Sequence, residues 1–105
     1  MKKIIYFDPK RIKKIRLTEH DIKNQIKEYL SLKNWFHFPL LAGLGAYKGC
    51  PDMIALKDGI VLFIEIKVEK GRQSQYQQEF QKNIEKYGGK YLIIRGIEDL
   101  QKEGI

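Results

Sequence analysis

The sequence predicts an α/β domain built on a mixed sheet of at least three strands flanked by helices. Apolar residues recur at helical spacing in two separate stretches, Ile22, Ile26, Tyr29 and Leu30 in the first and Tyr76, Phe80, Ile84 and Tyr87 in the second. Between them the pair Asp58 and Gly59 separates two apolar runs, a strong hairpin signal. A further apolar run at 90–95 follows the paired glycines Gly88 and Gly89, so strands and helices are interleaved along the chain.

Taken in order, residues 1–17 read as a basic arm or an early strand, with lysine and arginine concentrated at 10–16. A first helix is expected over 18–33. Thr18 can cap it, and Asp21 lies near the positive end of its dipole. Residues 35–50 are aromatic and then glycine-rich, with Pro39, Gly43, Gly45 and Gly49 interrupting regular structure; this is a loop with room for a strand. The hairpin follows, with strands at 52–57 and 60–67. Its second strand is apolar on both faces until Glu65, the pattern of a strand inside a covered sheet. The second helix begins near Ser74 and stops at Gly88 and Gly89. Residues 90–95 make a third core strand, and 97–102 a short terminal helix.

A chain of 105 residues has room for one hydrophobic core, so 18–105 is read as one domain. With 43% hydrophobic and 31% charged residues, it has the balance of a folded globular protein. Twenty Lys and Arg against 13 Asp and Glu leave +7, enough to attract a polyanion and release its counterions. Nucleic acid is therefore the first partner to consider, with a merely soluble or ribosomal-type basic protein as the plain alternative. The apolar residues after Met1, Lys2 and Lys3 stop at Asp8 and Pro9, too short for a secretory core. The run at 60–64 falls far short of the roughly 20 residues that cross a bilayer, so no membrane is expected. A lone Cys50 and two histidines give neither an internal disulfide nor a zinc pattern, which points to an intracellular, reducing environment.

Chemistry concentrates in the hairpin. Side chains at i and i+2 of a strand share a face, so Glu65 and Lys67 project together while Ile64 and Ile66 point the other way. A glutamate set into an apolar central strand costs several kcal/mol unless a lysine, a metal ion or water stands beside it. Asp52 opens the preceding strand, and the Asp58–Gly59 turn would carry it back towards Glu65. Two carboxylates with room for water and a phosphate suit Mg2+ or Mn2+, which would polarise a scissile phosphate and activate water. Lys67 would then serve as a compact cation that orients the nucleophile and stabilises developing charge. The plain reading of Glu65 and Lys67 is a salt bridge at a strand end.

Pro51 and Asp52, followed by Glu65, Ile66 and Lys67, have the form PD-(D/E)xK, and here the chain resembles the restriction-endonuclease-like nuclease superfamily. A closer resemblance is to the VRR-NUC family, the virus-type replication-repair nucleases. It runs through Gly49, Cys50, Pro51 and Asp52, then 63–67, then 70–77, and covers about 18–100. The resemblance implies a metal-dependent DNA endonuclease with Glu19 on the first helix, Asp52, Glu65, Lys67 and a glutamine on the second helix, Gln77, as catalytic residues. Glu19, Asp52 and Glu65 would hold the metal. Stand-alone members of the family are two-fold dimers acting on branched DNA such as four-way junctions, so a homodimer is expected. A phage- or prophage-encoded source goes with the same family.

Spacing adds its own support. Glu19 lies three and seven residues before Ile22 and Ile26, and Gln77 stands in the same relation to Phe80 and Ile84, so both should face inward. Glu19 reads equally well as a dipole-stabilising residue. Gln78 remains the alternative to Gln77, because Gln73 and Gln75 stand where the family commonly has an apolar residue and a proline. Tyr47 and Lys48 before the motif, and Lys70 and Arg72 after it, are candidates for touching the sugar-phosphate backbone, or else ordinary solvated surface. Cys50 reads as a small filler, and His20 and His37 as surface or loop residues. Two other classes stay open: a non-catalytic DNA-binding module on the same fold, and a basic RNA-associated or scaffold protein.

Overall fold

The computed structural model describes residues 16–41 and 47–105. Most of the expected basic arm at 1–17 lies outside the described residues.

Helix α1, Glu19–Leu32, starts where its cap can form. The Thr18 hydroxyl accepts the Asp21 amide at 3.1 Å, and the Asp21 carboxylate accepts the Thr18 amide at 3.0 Å. Its stripe of Ile22, Ile26 and Leu30 is buried. Asn34, at φ 65, turns the chain into strand β1, Phe36–Pro39, which occupies the front of the expected loop. Strands β2, Met53–Lys57, and β3, Ile60–Ile66, form the expected hairpin. Asp58 and Gly59 both have positive φ, 51 and 81, as a two-residue turn of type I′ requires. Helix α2, Gln75–Lys86, opens on a second capping box between Ser74 and Gln77. Strand β4, Lys90–Ile94, and helix α3, Ile97–Lys102, complete the chain.

The sheet order is β1-β2-β3-β4. The first two pairings are antiparallel, and β3 pairs parallel with β4 after the crossover through α2. Leu62, Ile64 and Ile66 of β3 and Met53 and Ala55 of β2 face α1, forming one buried core that Leu92, Ile94 and Leu100 close. On the opposite face α2 packs over β3 and β4, the Phe80 ring meeting Phe63 at 6.2 Å and Tyr91 at 6.4 Å.

Two expectations need correction. Tyr76 and Tyr87 are 54% and 81% exposed, whereas Gln77, Phe80 and Ile84 turn inward. At about 100° per residue, 77, 80 and 84 share the sheet-facing arc and the two tyrosines both fall on one flank of it, beyond Phe80. Strand β3 is also not covered along its length, since Ile60 and Val61 are exposed. Helix α2 shields only the β3–β4 half of its face.

Candidate active site

Register brings the two motif carboxylates together. Met53 pairs with Ile64, so Asp52, one residue earlier, falls beside Glu65 at the same end of the sheet. One Asp52 oxygen, Oδ2, accepts the Ile66 amide at 2.6 Å, which fixes the carboxylate against β3. Its other oxygen, Oδ1, lies 3.5 Å from the ammonium of Lys23 on α1.

Glu65 is only 2% exposed. Its Oε2 receives the Gln77 amide at 2.7 Å and the Lys67 ammonium at 3.2 Å. Its Oε1 is a buried side-chain atom with no hydrogen-bond partner among the described residues. Burial, then the neighbouring Asp52 charge and, more weakly, Glu19, push the carboxyl up to about 7 against the opposing hydrogen bond and charge of Lys67. A buried, half-satisfied carboxylate beside a second negative charge is a strained arrangement for the protein alone. A divalent cation between the two carboxylates would relieve both the orphaned oxygen and the like-charge repulsion, so the residues present fit such an ion.

The sequence-derived residues fall into three groups. Asp52, Glu65, Lys67 and Gln77 converge, and it is Gln77 that faces Glu65, while Gln78 reaches back to the Gln73 carbonyl at 3.4 Å. Glu19, the first residue of α1, is exposed and acts on Glu65 through its charge. Among the described residues no three Cys, His, Asp or Glu side chains gather closely enough to hold a metal, so Glu19 does not join the carboxylate pair directly. It sits in the first turn of α1, where it faces the helix's positive end. Around the site, Lys48 lies over the Tyr76 ring at 4.7 Å and the Tyr47 ring meets Phe80 edge-on at 5.5 Å. Lys70 and Arg72 are exposed on the β3–α2 loop.

Lys23 and Arg95 were not among the residues picked from the sequence. Arg95 donates to the carbonyls of Val68, Glu69 and Gly71 at 2.6, 3.3 and 2.8 Å, holding the loop that carries Lys70 and Arg72. Lys23 stands four residues after Glu19, a spacing that puts both on one helix face and could have drawn attention to it. The histidines engage Asn24 and Ser31, and Cys50 is a free, half-buried thiol. Burial pushes the Tyr91 phenol up to about 12 against its hydrogen bond from Gln73, so it stays protonated.

No helix among the described residues is long and apolar enough to cross a membrane. No protein-family model matches the chain, and neither does any curated protein. A solved structure described as a VRR_NUC domain does match, at 20% identity over 80% of this chain and 90% of that one, with a TM-score of 0.70. The four-stranded mixed sheet flanked by three helices is therefore an α/β fold, the fold of that VRR_NUC domain.

Proposed function

We propose that this chain is a VRR-NUC endonuclease that hydrolyses DNA phosphodiesters with Mg2+ or Mn2+, selects branched DNA such as four-way junctions, and works as a homodimer. The observation that carries the reading is the buried Glu65 carboxylate, one oxygen unpartnered, beside Asp52 and paired with Lys67. Asp52 and Glu65 would hold the cation, and Glu19 would add negative charge that favours it. When bound there, a divalent ion supplies a Lewis acid for a phosphate oxygen and makes water more acidic.

The protein's own groups do the rest. Gln77 holds the Glu65 carboxylate in one orientation, so that Oε1 is the oxygen left free. The Ile66 amide does the same for Asp52 and leaves Oδ1 to the Lys23 ammonium. Lys67, with its ammonium on Glu65, would orient the attacking water and offset charge gathering on the phosphate. Tyr47, Lys48, Lys70 and Arg72 would track the backbone, as the +7 charge favours. A two-fold dimer would set two such sites on two strands of a branched substrate. The uncovered sheet face with Phe36, Leu56 and Val61, which are 63%, 39% and 40% exposed, offers a surface for it.

The test is cleavage of a labelled four-way junction beside matched linear duplex, with Mg2+, Mn2+ or EDTA, comparing wild type with Asp52→Ala. Cutting of the junction that needs the metal and vanishes in the variant is expected. Binding without cleavage of any branched or linear DNA would instead indicate a non-catalytic module.

A further inference from the structure

Each carboxylate at the site has one oxygen fixed by the protein and one that is not. For Glu65 the fixed oxygen is Oε2, held by Gln77 and Lys67, and the other, Oε1, is buried and bare. For Asp52 the fixed oxygen is Oδ2, held by the Ile66 amide, and the other carries the Lys23 ammonium at 3.5 Å. Lys23 thus occupies the position from which Asp52 would address a cation. Its side chain is 30% exposed, so the ammonium can swing to water while its stem stays along α1. The chain carries an internal cation on the Asp52 oxygen that the Ile66 amide leaves free.

We infer that Lys23 is a displaceable counter-ion for Asp52, leaving Oδ1 when a divalent cation binds and then taking a phosphate oxygen of the DNA. The inference rests on the proposed metal-dependent reading of the same site. It gives Lys23 two linked effects. In the metal-free protein it offsets the repulsion between Asp52 and Glu65, and in doing so it competes with the incoming ion. Once released, it stands one helical turn from Glu19, at the edge of the site, and joins Lys48, Lys70 and Arg72 in holding the DNA backbone. Cation binding and DNA binding would therefore support each other, since each gives the displaced ammonium or the bared carboxylate its next partner. A lysine that only held Asp52 in place would behave oppositely: its removal would loosen the carboxylate and weaken the metal.

The experiment titrates Mn2+ into the full chain without DNA, read by the paramagnetic resonance of free Mn2+, for wild type, Lys23→Met and Lys23→Arg. Loss of one partly exposed ion pair sets the scale, so Lys23→Met is expected to bind Mn2+ up to about fivefold more tightly. Lys23→Arg, which keeps the charge, should stay near wild type. In a companion measurement with Ca2+, the salt dependence of duplex binding by Lys23→Met should fall by about 0.9 in slope, the value for one phosphate no longer neutralised. Unchanged or weaker Mn2+ binding by Lys23→Met would overturn the inference and leave the nuclease reading intact. Absence of Mn2+ binding by the wild type would overturn both.

Discussion

Glu65 sits 2% exposed with a carboxyl pushed up to about 7, so the folded protein holds its proton more tightly than the unfolded chain does at an ordinary 4.5. The protonated form favours folding. That contribution is fully present below about pH 4.5 and is lost as pH rises through about 7, a change on the order of 3 kcal/mol. Denaturant unfolding in EDTA should therefore show wild type weakening between pH 5 and 8, while Glu65→Gln stays level across that range; a matching slope in both would rule out Glu65 as its source. A second outcome belongs to Gln77, whose amide fixes the Glu65 oxygen at 2.7 Å. Gln77→Leu should keep the fold but lower cleavage by about tenfold or more, the loss of one charge-assisted hydrogen bond at the site, as single-turnover rates would reveal. These residues were legible because a strand has a fixed period: Glu65 and Lys67 must share a face, and the Asp58–Gly59 turn sets Asp52 against them. Glu19 and Lys23 were less so. Where the start of a helix sits over the end of a sheet depends on packing between distant segments, and no local spacing encodes it.

The short segment that leads into Asp52 does more than connect. Gly49 has φ +82, and a Cβ placed there would collide with the Tyr76 carbonyl at the start of α2. The glycine lets the loop before Asp52 press directly on the helix that carries Gln77, so the two halves of the site share one support. Gly49→Ala is expected to cost roughly 1–3 kcal/mol or more from strain and collision together, and to impair cleavage beyond what the stability loss explains. Chemical denaturation alongside activity would separate the two effects. At the start of α1, Thr18→Ala removes a capping box and should cost about 1 kcal/mol without altering the site. The Thr18 cap, the start of α2 near Ser74, the hairpin turn and α3 were readable from local chemistry. Strand β1 was visible only as a possibility inside a loop, because it has four residues with little buried surface and gains its order by pairing with β2. The inward row of α2 was misread for a related reason. None of its residues is buried, so tyrosines on one flank looked as apolar as the stripe itself.

Across the whole molecule, charge and uncovered surface set what the fold can meet. With +7 on 105 residues, DNA affinity should fall steeply with salt, and replacing Lys48, Lys70 and Arg72 with alanine should reduce the slope by about 0.9 for each phosphate that is no longer neutralised. On the outer face, the Phe36 and Phe38 rings lie 5.6 Å apart beyond the reach of α2. If that face joins two copies, Phe36→Asp should shift sedimentation from dimer to monomer while leaving the monomer folded; a wild type that sediments as a monomer at all concentrations would rule the dimer out. The α/β class followed from interleaved periods, whereas the coverage of only half the outer sheet face could not be read, since it depends on where α2 lands. The bare Glu65 oxygen and its neighbour Asp52 would together make a cation site, which anomalous diffraction from crystals soaked in Mn2+ would reveal. A Mn2+ peak at the Glu65 and Asp52 carboxylates, absent in Glu65→Gln, is the predicted result; a fully soaked crystal with no Mn2+ at these carboxylates, or with Mn2+ bound only elsewhere, would contradict it.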